Sequence, residues 1–171
     1  NHEEYEDELP LDLVDDIRVI RRNSEHLLSL VNDVLDLTRA DASRLILRKE
    51  WVDISDEIEK SLEIVLPLAS KKQLDMRFEP NTPLPQIFCD RTRIRQVVLN
   101  LLSNAVRYTE QGQVTVWASA DEKWLTIHVR DTGPGIDPAD SERIFEPFYR
   151  GMTSSTSQEN IGTGLGLSVC R

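Results

Sequence analysis

The chain has 171 residues, a formal charge of −10, a pI near 4.8 and 39% hydrophobic residues. That is enough chain to bury a core, and the acidic balance argues against a nucleic-acid binder, which grips phosphate with clustered Lys and Arg. Cys89 and Cys170 lack CxxC or metal-ligand spacing, which favours a reduced, cytoplasmic setting over a disulfide framework, and no apolar run approaches the roughly 20 residues of a bilayer span.

Residues 1–8 are acidic and read as a frayed lead-in, with Pro10 suited to a first helical turn and Asp7 or Glu8 as its cap. From Leu11 to about Ala42, Ile17, Ile20, Leu27, Val31 and Val34 recur at steps of three and four. Ser24 and Thr38 fill the remaining seam positions, and Leu28 and Leu35 widen the stripe. This pattern predicts a long helix with a bundle or coiled-coil seam, with an amphipathic helix packed on its own domain as the alternative. It divides the chain into residues 1–44 and a domain over 45–171.

Trp51 to Ile54 reads as a short strand before a helix from about Ser55 to Lys72, which Pro67 should kink or disturb. Leu74 to Phe78 alternates as a strand does, residues 80–85 form a proline-rich loop, and Asp90 is placed to cap a helix running to about Tyr108. Gln113 to Ser119 and Trp124 to Val129, separated by Asp121, Glu122 and Lys123, should pair as a hairpin. Asp131 to Ile161 is irregular apart from a short helical stretch over 140–145, and long irregular segments in compact domains are usually functional.

Four stretches carry chemistry. On the helix from Asp90 to Tyr108, Arg93, Gln96, Asn100, Asn104 and Arg107 share a stripe beside an apolar face of Ile94, Val97, Val98, Leu101, Leu102 and Ala105. Two carboxamides one turn apart supply oxygens for a metal or its waters and NH₂ groups for phosphate; a surface face of amides is the plain alternative. The arginines Arg91, Arg93 and Arg95 read either as a solvated helix start or as a phosphate or partner contact. Next, Asp131-Thr132-Gly133-Pro134-Gly135-Ile136 puts a carboxylate at a strand end, able to accept an adenine amine, before glycines that let a ring approach the backbone. Third, Gly162-Thr163-Gly164-Leu165-Gly166-Leu167 precedes a helix and exposes N–H groups to phosphate, as GxGxG rather than the GxGxxG of a dinucleotide fold. Between these two glycine stretches, Phe145, Phe148 and Tyr149 cluster before a serine-rich segment, 151–161, that reads as a lid over a ligand, with Arg150 either reaching phosphate or lying at the surface.

Taken together, residues 95–109 resemble the N-box of sensor histidine kinases, DTGPGI their G1 box, FEPFYRG their F-box and GTGLGLSV their G2 box, in the family's order. Residues 26–39 resemble the second helix of the family's dimerisation and phosphotransfer hairpin. The resemblance implies an α+β fold: a two-layer α/β sandwich of the Bergerat ATP-binding type, with a mixed sheet and helices on one face, preceded by a long bundle helix. It implies ATP and Mg²⁺ as cofactors, with Asn104 on the metal, Asn100 and Arg107 near the phosphates, Tyr108 lining the pocket and Asp131 on the adenine amine. Gly133, Gly135 and Ile136 would shape the base pocket. Phe148, Arg150, Gly162, Thr163, Gly164, Leu165, Gly166 and Leu167 would close around the triphosphate.

In related ATPases of the GHKL superfamily a glutamate stands where Asn100 is, and an amide is no general base, which favours transfer to a protein nucleophile over hydrolysis. The resemblance further implies a response regulator receiver domain as partner, homodimerisation through the N-terminal helix, and no direct membrane contact, with anchoring of the parent protein left open. The chain departs from the family in two ways. No phosphoacceptor histidine motif is present, since His2 does not match it and His26 and His128 read as structural, so this fragment is expected not to phosphorylate itself. The family's later strands are also missing. A non-catalytic signalling module and a GHKL hydrolase remain the alternatives.

Overall fold

The computed structural model describes residues 46–79, 83–149, 151 and 164–170, together with 13, 14, 16, 17, 19–21, 23, 24, 27, 28 and 31. Two compact units divide the chain, Asn1–Arg44 and Leu45–Arg171. In the first, every described position is helical, and Ile17, Ile20, Leu27, Leu28 and Val31 are exposed while Val14 is buried. The expected caps, Val34, Leu35, Thr38 and His26 lie outside the described residues, as do Arg150, Gly162, Thr163 and nearly all of the serine-rich segment. Among the described residues no helix is long and apolar enough to cross a membrane.

The second unit is an α+β fold. It opens with β1 (Glu50–Val52) and α1 (Ile54–Lys71), then β2 (Asp75–Glu79), β3 (Ile87–Cys89), α2 (Arg91–Tyr108) and the hairpin of β4 (Gln113–Ala120) and β5 (Leu125–Asp131). A 3-10 turn at Arg143–Phe145 and a short α3 (Gly166–Val169) follow. The main sheet has the order β2-β4-β5, with β2 parallel and β5 antiparallel to β4, so it is mixed as expected. Asp121 makes the hairpin turn, its carboxylate accepting the N–H groups of Lys123 and Trp124.

Alternation along the strands decides which face is covered. Val114, Val116 and Ala118 of β4 are buried with Met76, Phe78, Ile127 and Val129 from its neighbours, against Ile58, Val65 and Ala69 of α1 and Val98, Leu102 and Val106 of α2. The other face carries Arg77, Thr115, Trp117, His128 and Arg130. There Trp117 stacks on His128 with ring centroids 4.7 Å apart, which gives His128 the structural role its sequence position favours.

Both long helices are capped by aspartate: Asp53 Oδ1 accepts from the N–H groups of Ser55 and Asp56, and Asp90 Oδ1 from that of Arg93. α1 ends in a Schellman turn, with Leu74 N–H bonded to the carbonyl of Ala69, Gln73 N–H to that of Ser70, and Gln73 in the left-handed region at φ 57°.

Pro67 lies inside α1, which runs on to Lys71 as expected; proline there removes one donor, and packing of Val65 and Ala69 on either side holds the helix together. The short helical segment expected over 140–145 is a single 3-10 turn, Arg143–Phe145. A strand absent from the sequence reading, β3, pairs antiparallel with β1, with Trp51 opposite Phe88. Finally, Arg91 and Arg95, with side chains 35% and 38% exposed, are more than a solvated helix start, because each is held in ion pairs within the domain. Both grip the fully buried Glu57 of α1, Arg91 Nη1 at 2.7 Å and Arg95 Nε at 2.8 Å, and Arg91 also bonds Glu50. The Asp90 carboxylate meets the positive end of α2, while Glu57 of α1 pairs with the two arginines in the first turns of α2 and so ties the two helices together.

Candidate functional site

α2 is the backbone of the site. Its side toward α1 carries Arg91, Arg95, Val98, Leu102 and Val106, and a helix with 3.6 residues per turn then turns Asn100, Asn104 and Arg107 to the other side. From Asn100 to Tyr108 spans about 12 Å along the axis. The two glycine stretches meet α2 at the ends of that span.

At the Asn100 end, Nδ2 donates to the carbonyl of Gly166 at 3.0 Å and lies 3.8 Å from Cys170 Sγ. A Cβ on Gly166 would stand 3.5 Å from Asn100 Cγ, so α3 and α2 are in van der Waals contact at this point. With its donors directed at Gly166 and Cys170, Asn100 has only its oxygen to offer a ligand, and that oxygen makes no hydrogen bond among the described residues. The expectation of an amide facing phosphate therefore narrows to an acceptor, suited to a cation or a water. One turn on, the half-buried Asn104 makes no side-chain hydrogen bond among the described residues, and neither does the Arg107 guanidinium.

Tyr108 ends the span, with its side chain 45% exposed. Its carbonyl faces the turn after β5, where a Cβ on Gly133 would come within 2.9 Å of Tyr108 O and 2.8 Å of Asp131 Oδ1, so any side chain at 133 is excluded. Asp131 Oδ1 accepts the N–H of Gly133 at 2.8 Å, which fixes the carboxylate at the strand end and leaves Oδ2 unpaired among the described residues. Gly135, at φ 76°, has open space where a side chain would be, and the neighbouring Ile136 is exposed. An oriented carboxylate beside an open, apolar-edged cradle is what a flat base with an exocyclic amine needs.

The F-box and G2 stretches join directly. Phe148 N–H donates to the carbonyl of Gly164 at 3.0 Å, and both residues are left-handed, at φ 63° and 74°. A left-handed aromatic residue is strained, and such strain collects at functional sites. Contrary to the expected aromatic cluster, the Phe148 ring is 65% exposed. Tyr149 instead donates to Asp140 at 2.6 Å beneath the Arg143 guanidinium, and that hydrogen bond raises its phenol pKa. Leu165 is fully buried and Leu167 partly so, which anchors α3. No local pattern announces that Asn100 bonds Gly166, because that contact joins residues 66 apart. A depression of about 280 Å³ on the helix-free face of the sheet, lined by Glu79, Gln113, Thr115, Trp117 and Arg130, contains none of the motif residues.

Residues 89–171 match the family described as histidine kinase-, DNA gyrase B-, and HSP90-like ATPase. The cell-division control histidine kinase PdhS of Brucella ovis is 35% identical over 166 residues, covering 92% of this chain and 16% of that protein. The full-length structure of ShkA in complex with AMPPNP is 37% identical, with a TM-score of 0.79 over 95% of this chain and 33% of that one. The catalytic domain of the histidine kinase ThkA, in a nucleotide-free form, is 30% identical, with a TM-score of 0.62 over 74% of this chain and 78% of that one. ThkA in complex with the response regulator protein TrrA is 25% identical, with a TM-score of 0.68 over 95% and 44%.

Proposed function

We propose that this chain, which belongs to the sensor histidine kinase family and carries its ATP-binding catalytic domain, binds ATP along α2 and donates the γ-phosphate to a histidine on a phosphotransfer hairpin. The observation that carries the site assignment is the meeting of three motifs on one helix: Gly166 at Asn100, Asn104 in the middle, and the Asp131 turn at Tyr108. On this reading Asp131 accepts the adenine amine, Tyr108 and Ile136 flank the base, and Gly133 and Gly135 keep the cradle clear. Arg107 meets phosphate charge, and the backbone from Gly164 to Leu167 lies beside the triphosphate, with Phe148, Arg150 and Thr163 closing around it.

The donors present fit Mg²⁺, which takes one or two protein oxygens and keeps phosphate and water for the rest. Asn104 Oδ1 and Asn100 Oδ1, one turn apart and neither hydrogen-bonded among the described residues, would hold it. When bound, the ion neutralises charge that builds on the transferring phosphoryl group. The chain's own part is positioning: Asn100, as an amide, does not activate water, so hydrolysis is disfavoured relative to transfer.

The exposed apolar stripe of the N-terminal unit supports homodimerisation in the parent protein through residues 1–44, and the ThkA complex supports a response regulator receiver domain as the partner that takes the phosphate onward. A cytoplasmic setting follows from that partnership. Titration with a fluorescent ATP analogue tests the site: Asn104→Asp and Asp131→Asn should each weaken binding about tenfold or more. Binding unchanged in both variants would overturn the assignment. The transfer reading is tested by labelling a supplied histidine hairpin with γ-labelled ATP, and brisk phosphate release without that acceptor would mark a hydrolase instead.

A further inference from the structure

Lys72, the C-cap of α1, is a cation whose side chain is 21% exposed and whose work lies across the domain from its own helix. Its ammonium donates to the carbonyl of Arg107 at 2.7 Å and of Thr109 at 3.2 Å, with Glu110 at 3.9 Å. Carbonyls in the last turn of a helix have no intrahelical donor, and a cation there also meets the negative end of the helix dipole. The two accepting carbonyls bracket Tyr108. Tyr108's own carbonyl lies 2.9 Å from where a Cβ on Gly133 would stand, so it faces that glycine closely, and Gly133 N–H is the group that orients Asp131. A continuous chain of contacts thus runs from Lys72 through the end of α2 to the carboxylate at the base pocket.

We infer that Lys72 is a positioning residue for nucleotide binding. It fixes the junction where α2 meets the turn after β5, and so sets the gap between Tyr108 and Asp131 in which the base sits. The inference rests on the nucleotide-site reading above. Holding backbone carbonyls, Lys72 acts on the base end of the site and not on the phosphate end near Asn100. Its loss should therefore weaken every adenine nucleotide by the same factor, whatever the phosphate count.

The test uses the full chain as wild type, Lys72→Met, Lys72→Arg and Asp131→Asn, with a fluorescent ATP analogue displaced by ATP, ADP or adenosine at a temperature where all variants are folded. Lys72→Met keeps the apolar stem, and it should weaken ATP, ADP and adenosine alike by about five- to tenfold. Lys72→Arg, which can donate to both carbonyls, should recover most of the loss. In a transfer assay with a supplied hairpin, Lys72→Met should raise KM for ATP and leave kcat at saturation unchanged. A Lys72→Met protein that melts lower yet binds ATP as wild type does, or that loses ATP but not adenosine, would overturn the inference. If Asp131→Asn weakens binding and Lys72→Met does not, only the role of Lys72 falls. If the wild type fails to bind the analogue, the site reading falls and takes the role of Lys72 with it.

Discussion

Gly164→Ala would bear most directly on the junction between the F-box and G2 stretches. At φ 74° an alanine costs about 1–2 kcal/mol for the left-handed conformation alone. Its Cβ would also stand 2.9 Å from both Cα and C of Phe148, well inside the ~3.5–4.0 Å at which carbon atoms sit comfortably. Those neighbours are backbone atoms and cannot rotate away, so the two segments must part, at the expense of the 3.0 Å bond from Phe148 N–H to the Gly164 carbonyl, about 1 kcal/mol. The sum is roughly 2–3 kcal/mol, all of it local. If binding restores the native junction, that energy enters the affinity and raises the Kd for ATP by roughly 30- to 150-fold. Global melting should move little, because Leu165 and Ser168 are the only buried residues this segment contributes among those described. The assay is a titration with a fluorescent ATP analogue beside a thermal melt of the same samples. Affinity within twofold of wild type would refute the reasoning, as would a large fall in Tm with affinity intact.

Two further outcomes follow from the caps. Asp90 accepts the N–H of Arg48 at 2.8 Å and that of Arg93 at 3.2 Å, and these bonds, the Arg48 one foremost, hold its carboxyl below the usual aspartate range. A depressed native pKa stabilises the fold fully above the unfolded value of about 3.9 and is lost as pH falls through the lower native value. Tm measured from pH 7 to pH 3 should therefore drop more steeply below about pH 4 in wild type than in Asp90→Asn, which starts lower at pH 7; parallel curves would count against it. Gln73→Gly places the preferred residue at a position held at φ 57°, and should raise stability by about 0.5–1 kcal/mol in a denaturant melt with nucleotide affinity unchanged.

Local pattern made some of this structure readable from sequence. The β4–β5 hairpin follows from alternation around an aspartate turn, α2 from its cap and its two-sided stripe, and the Asp131 turn from its position at a strand end. What escaped has no local signature. β3 is three residues long, too short for alternation to register, and exists because Phe88 and its neighbours find β1 about 37 residues away. The purpose of Arg91 and Arg95 was hidden because their partner Glu57 lies on another helix, where its helical stripe reads as surface charge. The left-handed backbone at Gln73 and Phe148 carries no glycine to announce it. Which residues touch a nucleotide was legible only through motif resemblance; the distances that join those motifs were not.

The contacts that tie α2 to its neighbours join residues remote in sequence: Asn100 with Gly166 across 66 positions, Lys72 with Arg107 across 35, Arg91 with Glu57 across 34. Closing such loops costs chain entropy before any of these bonds can form, and the pieces that nucleate readily, the hairpin and the single helices, contain none of them. The pocket should therefore mature late in folding. Substitutions at Asn100 or Lys72 should speed unfolding and leave the folding rate nearly unchanged, whereas those in the β4–β5 hairpin should slow folding itself.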